Sequence, residues 1–207
     1  MGRTNDTLRV RSEFYIITNG EKTEYNYFSL LRAKKSIYDV KVKFSNGDPL
    51  GLVQSAERYV TKSNQVWVVF DVDNSYEEGR LILAIQEAEK MGVKYAFSNK
   101  AFEVWLVSHF GKCERAYDVE GLYGLLNHYL AEKKRGLQYE KNNKEILKNF
   151  FIPQYREACE SAKIVYQKWN KEHLKEHGPV SRPEIWKWNS CTTVFQLIEA
   201  LKLQIKK

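Results

Sequence analysis

Gln65-Val66-Trp67-Val68-Val69-Phe70-Asp71-Val72-Asp73 is the stretch that decides how this chain is read. From Val66 to Phe70 the run is continuously apolar and rich in β-branched residues. It is too short for a helix and does not alternate, so it predicts a strand covered on both faces, as in a parallel sheet. The strand ends in two carboxylates spaced two residues apart. If the backbone stays extended, Asp71 and Asp73 point the same way. Two close carboxylates repel each other unless a cation lies between them. Mg²⁺ (or Mn²⁺) suits such a pair, because it takes oxygen ligands and keeps several waters. The competing reading makes Asp73 the cap of a helix that begins near Glu77.

Working outward, the same logic places three more strands. Residues 13–18 (EFYIIT) are aromatic and β-branched and stop at the turn dipeptide Asn19-Gly20. Residues 40–44 (VKVKF) alternate and suit an outer strand. Residues 93–97 (VKYAF) follow a helix over 77–91, whose Leu81, Ile85, Ala88 and Met91 share a face and which Gly92 ends. Further helices are expected from Thr23, with Thr23 as cap, and over 50–62. Strands alternating with helices imply a parallel α/β sheet. Beyond about residue 110 the pattern is helical, over 119–134, 142–150, 153–176 and 193–206. Ser190 or Thr192 is the expected cap of the last helix. The expected organisation is an α/β core over 12–110 and a basic helical part over 111–207 packed on it, after a loose polar arm over 1–11.

Charge is uneven. The chain carries +7 overall, but residues 1–107 hold 15 Lys/Arg against 14 Asp/Glu, and residues 108–207 hold 18 against 12. An acidic partner, nucleic acid above all, therefore meets the second half more readily, although a solvated Lys-rich surface gives the same balance. Cys113, Cys159 and Cys191 are far apart and odd in number, which argues against a disulfide framework and against a cysteine zinc site. A reducing cytoplasm fits best. No signal peptide and no apolar run of membrane-spanning length is visible, so no membrane partner is expected.

Ligands of an open parallel sheet bind beyond the C-terminal strand ends. Three motifs fall at that edge: NGEKTE at 19–24, DVDN at 71–74 and SNKAFE at 98–103. Glu21 and Glu24 follow the first strand, and Glu24 equally suits a helix start. Lys22 beside them meets either a phosphate or solvent. Glu103 lies among Phe102, Val104, Trp105 and Leu106, so it is either a surface acid or a partly buried one that needs a partner. His109 reads as a packed ring more readily than as a base. His173-Leu174-Lys175-Glu176-His177 matches the inverted zinc-protease spacing, but its helix is Lys- and Glu-rich and ends at Gly178-Pro179, which reads as a solvated helix end. Neither GxSxG nor GxxxxGK[ST] occurs.

FYIITNGEKTEYNYFSLLR, VWVVFDVDN and YAFSNKAFEVWLVSHF, in that order, together with NSCTTVFQLIEAL, resemble the RloB-like family over roughly residues 12–205. That resemblance implies a variant of the Toprim fold, in which a Glu after the first strand and an Asp-x-Asp after a later one hold Mg²⁺. It matches Asp71 and Asp73 to the Asp-x-Asp pair, Glu103 to a Phe-Glu-Leu-Trp segment, and Asn19 to the Toprim glutamate. Asn19 can ligate through its carbonyl, but it carries no charge and cannot act as a base. The family also implies a phage-defence or restriction-associated setting, an abortive-infection type of effector and an ATPase partner encoded nearby.

The expectation is thus a Mg²⁺-dependent endonuclease acting on RNA, tRNA or DNA. Asp71, Asp73 and Asn19 hold the metal, Glu21, Glu24 and Glu103 complete the acidic shell, and Lys22 and Lys100 meet phosphate. The alternative is a catalytically decayed Toprim-like module that binds nucleic acid or the ATPase. The sequence leaves the oligomeric state open.

Overall fold

The structure is a computed structural model that describes residues 12–73 and 79–203. Strand β1 (Glu13–Thr18) leads into helix α1 (Thr23–Leu31), then β2 (Asp39–Phe44), α2 (Pro49–Ala56), β3 (Gln65–Asp71), α3 (Arg80–Met91), β4 (Lys94–Asn99) and the short α4 (Glu103–Val107). The second half is α5 (Val119–Lys133), α6 (Lys144–Ile146), α7 (Tyr155–His177), β5 (Cys191–Thr192) and α8 (Val194–Ala200). The sheet order is β2-β1-β3-β4-β5, parallel except for the β4–β5 pair. The expected α/β class and helical second half are present, and β2 is an edge strand as its alternation predicts. Every parallel strand runs the same way, so the loops after β1, β3 and β4 leave from one edge.

Alternation along β3 splits the core. Trp67 and Val69 face one way, with Phe14, Ile16 and Ala96, into a core shared with α1, α4, α5 and α8. Val66, Val68 and Phe70 face the other way, onto α2 and α3. The second half of the chain feeds both faces: Leu122, Leu126 and Phe151 on one side, Ile185, Trp188 and Cys191 on the other. Both sheet faces are therefore buried, which is why β3 shows no polar alternation.

β5 is a two-residue strand that the sequence does not reveal. The hydroxyls of Thr192 and of Thr193, just past the strand, add to its pairing. Thr192 Oγ1 donates to Phe97 O at 3.0 Å, and the Phe97 N–H donates to Thr193 Oγ1 at 3.0 Å. Since the Thr192 proton is committed to Phe97, the Ser98 hydroxyl is the donor in the 2.9 Å Ser98–Thr192 contact. Thr192 Oγ1 also accepts from the Val194 N–H at 3.3 Å, so it caps α8 from one residue further out than usual.

Other boundaries differ from expectation. The helix predicted over 50–62 is capped by Asp48, whose Oδ1 accepts from Gly51 N at 3.0 Å. It tightens to a 3₁₀ turn at Glu57–Tyr59 and becomes extended at Val60. Residues 142–150 give only α6, followed by wide turns at Leu147–Phe151 and a 3₁₀ turn at Ile152–Gln154, because Pro153 has no N–H to continue an α ladder. The helix expected from 77 begins at Arg80, after Gly79 in the left-handed region at φ 73°. The residues expected to start it at 77, and the arm over 1–11, lie outside the described residues. The last helix, expected over 193–206, ends at Ala200, and Lys202 takes a left-handed φ of 47° that an α-helix does not continue through. Among the described residues no helix is long and apolar enough to cross a membrane.

Candidate functional site

The loops after β1 and β3 and the segment between α5 and α6 enclose an open cleft of about 430 Å³. Asn19, Gly20, Glu21, Lys22, Thr23 and Glu24 form one wall, Asp71 another, and Lys141 and Asn142 the third. The first wall is the turn that ends β1, where the Asn19 N–H still reaches across to Val69 O at 3.2 Å. Thr23, expected to cap α1, does not. It is already the first helical residue, and its buried hydroxyl makes no hydrogen bond of good geometry. It lines the cleft instead, close enough to the Tyr139 hydroxyl to lower the pKa of that phenol.

Three carboxylates from separate elements lie near enough here for their charges to act on one another, though Glu103 does not itself line the cleft. Asp71 ends β3, Glu24 stands in the first turn of α1, and Glu103 opens α4 with only 1% of its surface exposed. Desolvation pushes the Asp71 carboxyl well above its ordinary range. The charges of Glu24, Glu103 and Asp73 add to that rise, and Lys141 opposes it. Glu24 is raised as well, by desolvation first and then by Glu103, against the hydrogen bond from its own backbone N–H. Asp71 and Glu24 thus resist ionising here, the expected behaviour of buried acids gathered without enough counter-charge. Glu24 also depends on its neighbour: a methyl group at Gly20 would land on the Glu24 carboxylate. The loop residue Gly20 is what lets that side chain fold over the turn.

Two residues that sequence reading missed complete the arrangement. The Tyr139 hydroxyl donates to Glu103 Oε1 at 2.9 Å, and the Lys141 ammonium lies 3.9 Å from the same oxygen. Burial, with the Glu103 charge next, keeps the Tyr139 phenol protonated and so a donor. Both residues lie in the irregular segment after α5, which carries no periodicity to announce a role. A tyrosine and a lysine two residues apart is the one local signal, since extended backbone points such a pair the same way.

The remaining sequence candidates fall as follows. Asp73 is exposed just past β3, close enough for its charge to act on Asp71. Glu21 and Lys22 are exposed on the cleft wall. Lys100 is exposed after β4 and does not line the cleft. Among the described residues no group of three or more His, Cys, Asp or Glu side chains stands close enough to hold a metal ion. The donor set nonetheless fits Mg²⁺. It is all oxygen, and Mg²⁺ is commonly bound by one or two carboxylates with water filling the rest.

Both histidine features turn out structural. His109 Nδ1 faces Trp105 O at 3.0 Å and Leu106 O at 3.2 Å, and Nε2 faces the Tyr27 hydroxyl at 3.0 Å. Burial holds its pKa down at about 3, so it is a neutral, packed ring. The HxxEH segment is a solvated helix end over Leu174 to His177, as its charge suggests, but His173 is an exception. His173 is buried against Trp188 and hydrogen-bonds Ser181 Oγ at 2.9 Å, because the 178–188 loop folds back over the end of α7. The three cysteines are buried, free thiols.

No curated protein and no solved structure matches the chain. The family model described as "RloB-like protein" matches residues 14–201, which takes in β1 through α8 and every wall of the cleft. The chain belongs to the RloB-like family.

Proposed function

We propose that this protein is a metal-dependent endonuclease-type effector that cleaves nucleic acid, with the cleft beyond β1 and β3 as its active site. The observation that carries the proposal is that Asp71 and Glu24, from separate elements, line one open cleft at the C-terminal ends of parallel strands, with the buried Glu103 near enough for its charge to act on both. Such a gathering is costly unless a cation is to be held there.

Asp71, Asp73 and the Asn19 carbonyl would hold Mg²⁺ or Mn²⁺. When bound, the ion supplies Lewis acidity for water activation and charge for the leaving oxygen. The chain's own residues do the rest. Glu24, in the cleft wall, is placed to take a proton from water, and Glu21 stands beside it at the rim. Glu103, below, fixes the third wall through Tyr139 and Lys141. Lys22 offers its ammonium to the backbone of the substrate, and Lys100 lies further along the same sheet edge. The basic second half favours a polyanion, RNA, tRNA or DNA. Membership in the family supports a defence setting, with a nearby ATPase as partner. Asp71→Ala should abolish cleavage while leaving the fold intact; full cleavage by that variant would refute the assignment.

Asn19 favours a second reading. With a neutral amide in the cleft wall the site carries less charge than a fully acidic one, as a decayed module that binds nucleic acid or the ATPase would. That reading requires no Mg²⁺ binding and no cleavage of any substrate.

A further inference from the structure

We propose that Lys141 is the second cation of this cleft, a built-in ammonium that meets the scissile phosphate where a two-metal enzyme would place its second ion. The assignment rests on the endonuclease reading above and gives it a one-metal form.

Position is the first argument. The Lys141 side chain is 57% exposed, yet its ammonium lies 3.9 Å from a carboxylate that is only 1% exposed. It therefore spans the distance from the acidic floor to the open mouth, where a phosphate would lie. The segment carrying it is anchored on purpose-built contacts. The Tyr139 N–H donates to Asn127 Oδ1 at 2.6 Å, and its hydroxyl donates to the Glu103 oxygen that Lys141 approaches. Asn142, next along, holds φ at 77°, a left-handed turn that asparagine tolerates better than most residues. Tyr139 and Lys141 are thus aimed at one atom from one short, pinned segment.

Charge is the second argument. Asp71, Glu24 and Glu103 repel one another, and Lys141 is the cation that counters all of them. Burial works against the Lys141 charge, but Glu103, Tyr123 and Glu24 outweigh it, so the ammonium stays protonated. One divalent ion with this lysine nearly balances the cluster. A second ion would have to share the few oxygens of this one cleft, since Asn19 is neutral and the carboxylate beside Lys141, Glu103, is already held by the Tyr139 hydroxyl. An ammonium supplies charge to a phosphate oxygen with no ligands to find.

A surface ion pair gives the same 3.9 Å distance but predicts different behaviour. The test uses the full chain and its Lys141→Met and Lys141→Arg variants. Mg²⁺ affinity is read from the rise in melting temperature on titration, and hydrolysis from bis-p-nitrophenyl phosphate at saturating Mg²⁺. Lys141→Met should bind Mg²⁺ about tenfold more tightly, because a competing positive charge has gone. Its hydrolysis should fall about 100-fold, as on losing one electrostatic contact to the transition state, and Lys141→Arg should keep part of the rate. Unchanged affinity, or hydrolysis equal to the parent protein, overturns the assignment and leaves the endonuclease reading standing. If Mg²⁺ raises the melting temperature of neither protein, the metal reading itself fails and this assignment falls with it.

Discussion

Replacing Tyr139 with Phe removes one oxygen atom and asks how much the acidic floor depends on it. Tyr139 is 8% exposed and Glu103 is 1% exposed, so no water replaces the lost donor freely. The bond is 2.9 Å long and ends on a carboxylate, a class worth about 1.5–3 kcal/mol. Unfolding entropy of about 2.1 cal/mol/K per residue, over 207 residues, comes to about 0.43 kcal/mol/K. The expected loss in melting temperature is therefore about 3–7 °C. Differential scanning calorimetry of the parent and variant at neutral pH measures it directly. Glu103→Gln supplies the cross-check: the Tyr139→Phe cost should shrink in that background, because the two groups share one interaction. A shift below about 1 °C in the single variant, or a full additive cost in the double variant, would refute the placement of Tyr139 as the support of Glu103.

Three further expectations follow from the same cluster and its frame. Asp71→Asn should raise the melting temperature of the metal-free protein, because it removes a desolvated charge repelled by its neighbours. Since the folded carboxyl titrates above its unfolded value, the unfolded chain ionises first as pH rises. The advantage of the variant should therefore be absent well below the ordinary carboxylate range and grow as pH rises through and above it; chemical denaturation across that range reads it. Gly20→Ala should displace the Glu24 carboxylate and weaken Mg²⁺ binding with little loss of stability, since only the tip of a flexible side chain must move; melting with and without Mg²⁺ separates the two effects. Thr192→Val should cost about 1–3 kcal/mol in urea unfolding, because it strips the hydroxyl that joins Phe97, Ser98 and Val194.

The sheet was legible because its strands are buried on both faces. A continuous run such as Val66–Phe70 has no other good explanation, and four of the five strands among the described residues carry an apolar or alternating run that the sequence reading picks up. β5 escaped because two residues have no period, and threonine hydroxyls, not an apolar pattern, add to their pairing. The residues of the cleft were partly legible for a related reason. Strand-end loops in a parallel sheet converge by topology, so Asn19 to Glu24 and Asp71 lie together without any contact being visible in the sequence. Glu103 posed an open choice between surface and interior, and burial with Tyr139 as partner resolves it. Tyr139 and Lys141 were missed because they arrive from the helical half, through a segment without periodicity. His173 misled in the other direction: its neighbours are charged, but a distant tryptophan covers it.

Binding of Mg²⁺ itself is the most direct check on the account. Isothermal titration of Mg²⁺ into the protein and into Asp71→Ala, both shown to be folded, should give a saturable event in the first and none in the second. Equal binding by both proteins, or no binding by either, would contradict the claim that this cleft is a metal centre built on Asp71.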